Sequence, residues 1–219
     1  GVTHDTHGCR RAPASINRYR VAVKALFAYL EHRWLVPSNP TAILRCQRHR
    51  AIPPEVLSEG EVQQVLTFRY QGRTAARDRA LVAFMLLTGT RLSETVALNV
   101  GDINMRTRTA LIRQAKGGDP ERIVLSDLVV TAITPLMTRD HDEPLFRTGE
   151  RRLCGRQVQR LVVQRLQEAG IERRLTAHAL RHTFATRLYN RTGDIRLVQQ
   201  ALRHRHVTTS EQYCQVDPL

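Results

Sequence analysis

The segment ALVAFMLLTGTRLSE, residues 80–94, decides how the rest of the chain is read. From Ala80 to Leu87 it is wholly apolar and closes a helical run that starts near Thr74. A helix apolar on every side belongs at the centre of a core. Gly89 is suited to end it in the left-handed conformation. Arg91 then stands two residues beyond that turn, ahead of a short helix expected from Ser93 to about Leu98. A guanidinium beside a core segment is costly unless it is paired or serves a ligand. Glu94, three residues on, is placed to hold it by a charge-assisted hydrogen bond. A purely structural Arg–Glu pair at a helix end fits these residues equally well.

Toward the C-terminus the period first becomes two. Thr109–Arg113 and Arg122–Leu125 are short β-type runs around Lys-Gly-Gly-Asp-Pro, the composition of a hairpin connection. Helical signals return over residues 126–137, 155–169, 177–190, 194–202 and 208–214, punctuated by Gly155, Gly170 and Gly193. Toward the N-terminus, Ser58-Glu-Gly-Glu61 is a capping-box pattern that opens a helix. Ahead of it lies RCQRHRAIPP, residues 45–54, a basic linker whose charge suits a phosphate backbone as well as solvent. Ile16, Tyr19, Val23, Leu26, Leu30 and Trp34 recur at threes and fours, which predicts one amphipathic helix over about residues 15–34, capped by Ser15 and stopped by Pro37 and Pro40. One helix does not bury its apolar face alone, so this segment must pack on other chain or belong to a larger domain. The expected fold class is mainly α with a small antiparallel β-sheet (α+β).

The chain has 219 residues, with 34 Lys and Arg against 20 Asp and Glu, a formal charge of +14. At 42% hydrophobic and 25% charged it has the composition of a folded protein, and neither a collagen-like nor a linker-like class fits. No apolar stretch is long enough to cross a bilayer and no secretory h-region opens the chain, so a soluble cytoplasmic protein is the expectation. The positive excess points to a polyanionic partner. Cys9, Cys46, Cys154 and Cys214 form no CxxC pair and no Cys/His metal spacing, and are read as reduced thiols.

The order of the polar blocks carries more than any one of them. TGTRLSE at 88–94 is followed by a lysine-tipped hairpin, then HALRHTFAT at 178–186, then LRHRHVTTSEQY at 202–213. Together these resemble the tyrosine recombinase family, the phage integrases and Xer-type proteins, over roughly residues 53–217. SINRYRVAVKALFAYLEHRWLVPSNP, residues 15–40, looks like the last helix of that family's N-terminal core-binding domain. The resemblance therefore implies a remnant of that domain over residues 1–44, a linker over 45–57 and a catalytic domain over 58–219.

It also implies roles. Arg91 and Arg181 match the two catalytic arginines, His178 the histidine of the H-x-x-R block, and Lys116 the hairpin lysine. His204 matches a histidine that other members replace with tryptophan, Glu94 the acidic support of the first arginine, and Tyr213 the nucleophile. Arg45, Arg48, Arg50, Arg156 and Arg160 are expected DNA contacts. Two departures stand out. Leu202-Arg203-His204 replaces the family's L-G-H, removing a glycine that readily adopts positive φ, and Ala177 stands where a proline is frequent. The implied activity is site-specific cleavage and rejoining of DNA through a covalent 3′-phosphotyrosine, with no cofactor and no metal. The implied partner is double-stranded DNA with inverted half-sites, bound by a homotetramer in the nucleoid. The competing expectations are a non-catalytic DNA-binding module of the same fold, a type IB topoisomerase-like relaxing enzyme, and a basic RNA-binding or ribosomal protein that accounts for the charge but not for the ordered blocks.

Overall fold

The computed structural model describes residues 13–46, 54–113, 119–138 and 140–203. The chain divides into two compact units, Gly1–Ile52 and Pro53–Leu219. The first is built on helix α1 (Pro13–His32). Lys24 and Arg20 of α1 donate to the carbonyls of Leu44 and Arg45, at 3.2 and 2.9 Å, folding the following segment back along the helix. Of the expected apolar face Ile16 is buried, whereas Tyr19, Leu26 and Trp34 are exposed, Trp34 at 92%. The helix stops short of Trp34, which lies in a turn at φ +58°.

The second unit opens with α2 (Glu59–Thr67), whose capping box forms as expected: Ser58 Oγ accepts from the Glu61 N–H and Glu61 Oε2 accepts from the Ser58 N–H. Next comes α3 (Ala75–Thr88), with every residue from Ala80 to Leu86 buried. It packs against α4 (Leu92–Ala97), α5 (Asp127–Ile133), α6 (Gly155–Glu168) and α7 (Ala177–Thr192), which is why it has no polar stripe. The edge-to-face contact of Phe84 with Phe146, at 6.0 Å between centroids, closes this core. One acidic residue of α3, Asp78, is fully buried and fully used. It accepts from Thr74, Arg77 and Arg165, the last bond joining α3 to α6.

The sheet is slightly larger than the sequence suggests. Strands β1 (Ile103–Asn104), β2 (Thr109–Ile112) and β3 (Glu121–Val124) pair antiparallel in that order, with Ile103 opposite Ala110 and Ile112 opposite Glu121. β2 buries alternate residues, Ala110 and Ile112, while β3 is largely exposed. A second hairpin, β4 (Arg147–Thr148) with β5 (Arg151–Arg152), turns at Gly149. Two-residue strands carry too few positions for an alternation to show, so β1, β4 and β5 leave no periodic trace. The helix expected over 126–137 ends at Ile133 and continues as a 3₁₀ turn, Thr134–Leu136. Pro135 has no N–H to bond four residues back.

The last two described helices are α7 and α8 (Ile195–Leu202), joined through Gly193 at φ +63° and capped by Asp194, whose carboxylate accepts from the Arg196 and Leu197 N–H groups. Ala185, Val198 and Leu202 form a small buried cluster with Phe184, Leu188 and Ile195 around it. The Leu57 N–H donates to the buried Thr183 hydroxyl at 2.9 Å, a bond that joins the segment before α2 to α7. The helix expected over 208–214 lies outside the described residues. Among the described residues no helix is long and apolar enough to cross a membrane.

Candidate active site

The site is built on the corner between α3 and α4. Gly89 takes φ +60° and its N–H closes onto the Met85 carbonyl. Three buried threonines stiffen the corner on either side of Arg91. The Thr88 and Thr90 hydroxyls are 3.1 Å apart and those of Thr90 and Thr95 2.9 Å apart, while Thr95 Oγ1 donates to the Arg91 carbonyl at 3.1 Å. Arg91 is held from both its ends by one carboxylate. Its N–H donates to Glu94 Oε2 at 2.8 Å, and its Nη1 to Glu94 Oε1 at 2.6 Å. Glu94 is only 3% exposed. Burial alone raises a carboxyl pKa, but the Arg91 N–H and the guanidiniums of Arg203 and Arg91 outweigh it, and Glu94 titrates below the ordinary carboxylate range.

Arg181 approaches the same corner from α7 and is itself 5% exposed. Its Nη1 donates to the Gly89 carbonyl at 2.5 Å and its Nη2 to the Leu202 carbonyl at 2.6 Å. Arg91 Nη2 reaches the next carbonyl, that of Arg203, at 3.1 Å. The two guanidiniums therefore hold consecutive carbonyls at the C-terminal end of α8, where unpaired helix carbonyls and the helix dipole favour cations. Glu94 also accepts from Arg203 Nη2 at 2.6 Å. Arg203 occupies the left-handed region itself, φ +54°, ψ +48°. The backbone shape that the glycine of L-G-H would supply is thus retained by an arginine.

The structure brings Arg91, Glu94 and Arg181 together, and adds Arg203, which the sequence marks only as a departure. His178 is exposed one turn before Arg181 on α7, its ring centroid 5.7 Å from that of His182. His182 is pushed down to about 4, first by burial and then by the charges of His178 and Arg181. Lys116, His204 and Tyr213 lie outside the described residues, as do Arg48 and Arg50. His204 follows Arg203 directly in the chain. Arg45 is exposed in the first unit, and Arg156 and Arg160 are exposed one turn apart on α6, opposite its buried Val158, Val162 and Leu166. The stiffening role of Thr88, Thr90 and Thr95 is invisible in sequence, since threonine at such positions is ordinary. Beside the corner, Leu87, Glu121, Ile123, Phe184, Gln200 and Arg203 line a cleft of about 500 Å³.

Two arginines converging on one corner of a helical unit with a small antiparallel sheet are the frame of the tyrosine recombinase fold. The sequence profile of the phage integrase family matches residues 55–219, and the chain belongs to that family, the tyrosine recombinases. Tyrosine recombinase XerC of Chromohalobacter salexigens is 29% identical over 214 residues, covering 94% of this chain and 71% of that protein. Tyrosine recombinase XerD of Oceanobacillus iheyensis is 26% identical over 184 residues, covering 79% of this chain and 61% of its own. Among solved structures, XerH site-specific recombinase bound to its palindromic difH substrate matches with a TM-score of 0.77 at 25% identity, over 92% of this chain and 64% of that one. The Tn1549 transposon integrase in complex with circular intermediate DNA shares the fold, with a TM-score of 0.76 at 20% identity over 95% and 76% of the two chains. The chain thus spans about 60–70% of the length of these curated relatives.

Proposed function

We propose that this chain carries the catalytic unit of a site-specific DNA recombinase that cuts and rejoins strands through a 3′-phosphotyrosine. The observation that carries the reading is the convergence of Arg91 and Arg181 on the consecutive carbonyls of Leu202 and Arg203, immediately before His204 and ten residues before Tyr213. A phosphodiester gains charge on its non-bridging oxygens as it is attacked. Guanidiniums stay protonated at any working pH and match those oxygens in bidentate fashion.

In this reading Tyr213 Oη attacks the phosphorus. The P–O(Tyr) bond forms, the P–O5′ bond breaks, and His178 takes the phenol proton while Lys116 protonates the departing 5′ oxygen. Arg91, Arg181 and His204 hold the non-bridging oxygens. Rejoining is the same exchange in reverse with a new 5′ hydroxyl, so the bond energy is kept and no nucleotide is hydrolysed. Arg45, Arg48, Arg50, Arg156 and Arg160 supply phosphate contacts along the duplex. The working assembly is a homotetramer on two duplexes with inverted half-sites, in the nucleoid. Residues 1–44 are the end of a core-binding domain, and residues 45–57 are a basic linker that runs along the DNA backbone. The names of the relatives support recombination over a relaxing or non-catalytic role.

The test is trapping on a nicked duplex that bears the inverted half-sites flanking the coding region, in EDTA. The parent is expected to form a covalent protein–DNA adduct, and Tyr213→Phe none, with DNA binding retained. An adduct that persists in Tyr213→Phe refutes the assignment of the nucleophile. A strict Mg²⁺ requirement refutes the mechanism.

A further inference from the structure

Arg203 does more than fill the place of a glycine. A non-glycine residue in the left-handed region is held there at a cost, and such a conformation persists only where its surroundings over-determine it. The surroundings here are electrostatic. The Arg203 side chain is 5% exposed and its Nη2 donates to Glu94 Oε2, the oxygen that also accepts from the Arg91 N–H. Its carbonyl accepts from Arg91 Nη2. Its Nε, buried and without a hydrogen-bond partner among the described residues, faces Glu121 Oε2 at 3.6 Å. Glu121 opens β3, five residues after Lys116 in the chain.

We propose that Arg203 is a positioning residue for the phosphoryl-transfer reaction, joining the Arg91–Glu94 pair to the hairpin strand that comes after Lys116. This rests on the recombinase reading above. Charge arithmetic supplies the reason. Glu94 paired with Arg91 alone would cancel the positive charge that a phosphate must feel. With Arg203 on its other side, the trio carries a net single positive charge, and Arg91 keeps its field toward the substrate. Glu121, half-exposed at 47%, is screened and offsets that charge less than Glu94 does. Its carboxylate is within a short movement of the unsatisfied Nε. Closing that gap fixes β3, and with it one root of the lysine hairpin, against the corner that holds both arginines.

The experiment compares the full polypeptide with Arg203→Gly, Arg203→Lys and Glu121→Gln in single-turnover adduct formation on the nicked duplex, with DNA affinity measured separately. Arg203→Gly relaxes the backbone and restores the family's residue, so a merely conformational role predicts an adduct rate equal to or above the parent's. The positioning role predicts a rate lower by on the order of 10- to 100-fold, with affinity within about threefold of the parent. Arg203→Lys, which keeps the charge, should recover part of that loss. Glu121→Gln should slow the parent severalfold and add nothing on top of Arg203→Gly, because the pair acts as one element. A parental rate in Arg203→Gly overturns the inference, as does full additivity of the two substitutions. Urea unfolding of each variant separates loss of fold from loss of position. If Arg203→Gly unfolds, the rates of Arg203→Lys and Glu121→Gln decide, and parental rates in both overturn the inference. Failure of the parent itself to form an adduct defeats the recombinase reading instead.

Discussion

Substituting Gly89 by alanine strikes the site through a single methyl group. Gly89 sits at φ +60°, and a Cβ added there would lie 2.3 Å from Phe184 Cδ1 and 2.9 Å from Cε1. Two effects add. An alanine in the left-handed region costs about 1 kcal/mol relative to glycine. Forcing a methyl group into an occupied space costs a further ~1–3 kcal/mol, because the phenyl ring must move or the turn must open. Phe184 packs on the buried cluster of Ala185, Val198 and Leu202, so swinging the ring toward the cleft it lines gives up that packing. The expected loss is therefore about 2–4 kcal/mol, read as a lowered urea midpoint with an unchanged m-value. The same shift moves the Gly89 carbonyl, which receives Arg181 Nη1, so adduct formation should fall on top of the stability loss. Gly89→Ala with stability within about 0.5 kcal/mol of the parent and an unaltered adduct rate would refute the argument from this corner.

Asp78→Asn removes the charge between Arg77 and Arg165 while keeping the shape. Removing a fully buried carboxylate from between two largely buried arginines is expected to destabilise by about 3–5 kcal/mol in urea unfolding, and a loss below about 1 kcal/mol would show that the two arginines find other partners. His182 gives a pH signature. Its folded-state pKa of about 4 lies below the ordinary histidine value of 6.5, so the unfolded chain binds the extra proton between those values, and stability rises with pH across that window. The stability advantage of the parent over His182→Gln should grow from pH 4 to 6.5 at a slope approaching about 1.4 kcal/mol per pH unit and level off above it. A pH-independent difference would place His182 in solvent.

Legibility in the sequence depends on which forces act locally. α3 and the Arg91–Glu94 pair are readable because an eight-residue apolar run, a glycine and an i, i+3 charge pair all lie within residues 80–94. The Ser58 capping box forms for the same reason, since both its partners sit three residues apart. Arg181 is readable as a site residue only through the family's block order; nothing within α7 says that its guanidinium reaches Gly89 and Leu202. Arg203 shows the limit more sharply. Its substitution for glycine suggests a lost positive-φ residue, yet the φ is kept, because the partner that stabilises it, Glu94, is 109 residues away in sequence. Interactions of that span leave no local pattern. The short strands β1, β4 and β5 escape for a different reason, being too brief to carry a period.

The hydrogen bond from Leu57 to Thr183 bears on how the molecule can be dissected. A fragment cut to begin at the helix cap, Ser58, would have no backbone donor for a hydroxyl sealed inside α7 and would lose the buried Leu57 side chain beneath it. Such a fragment would be expected to fray at the place where the opening of the second unit is sewn to α7. A boundary drawn a few residues earlier, at Pro54 or Glu55, keeps that stitch.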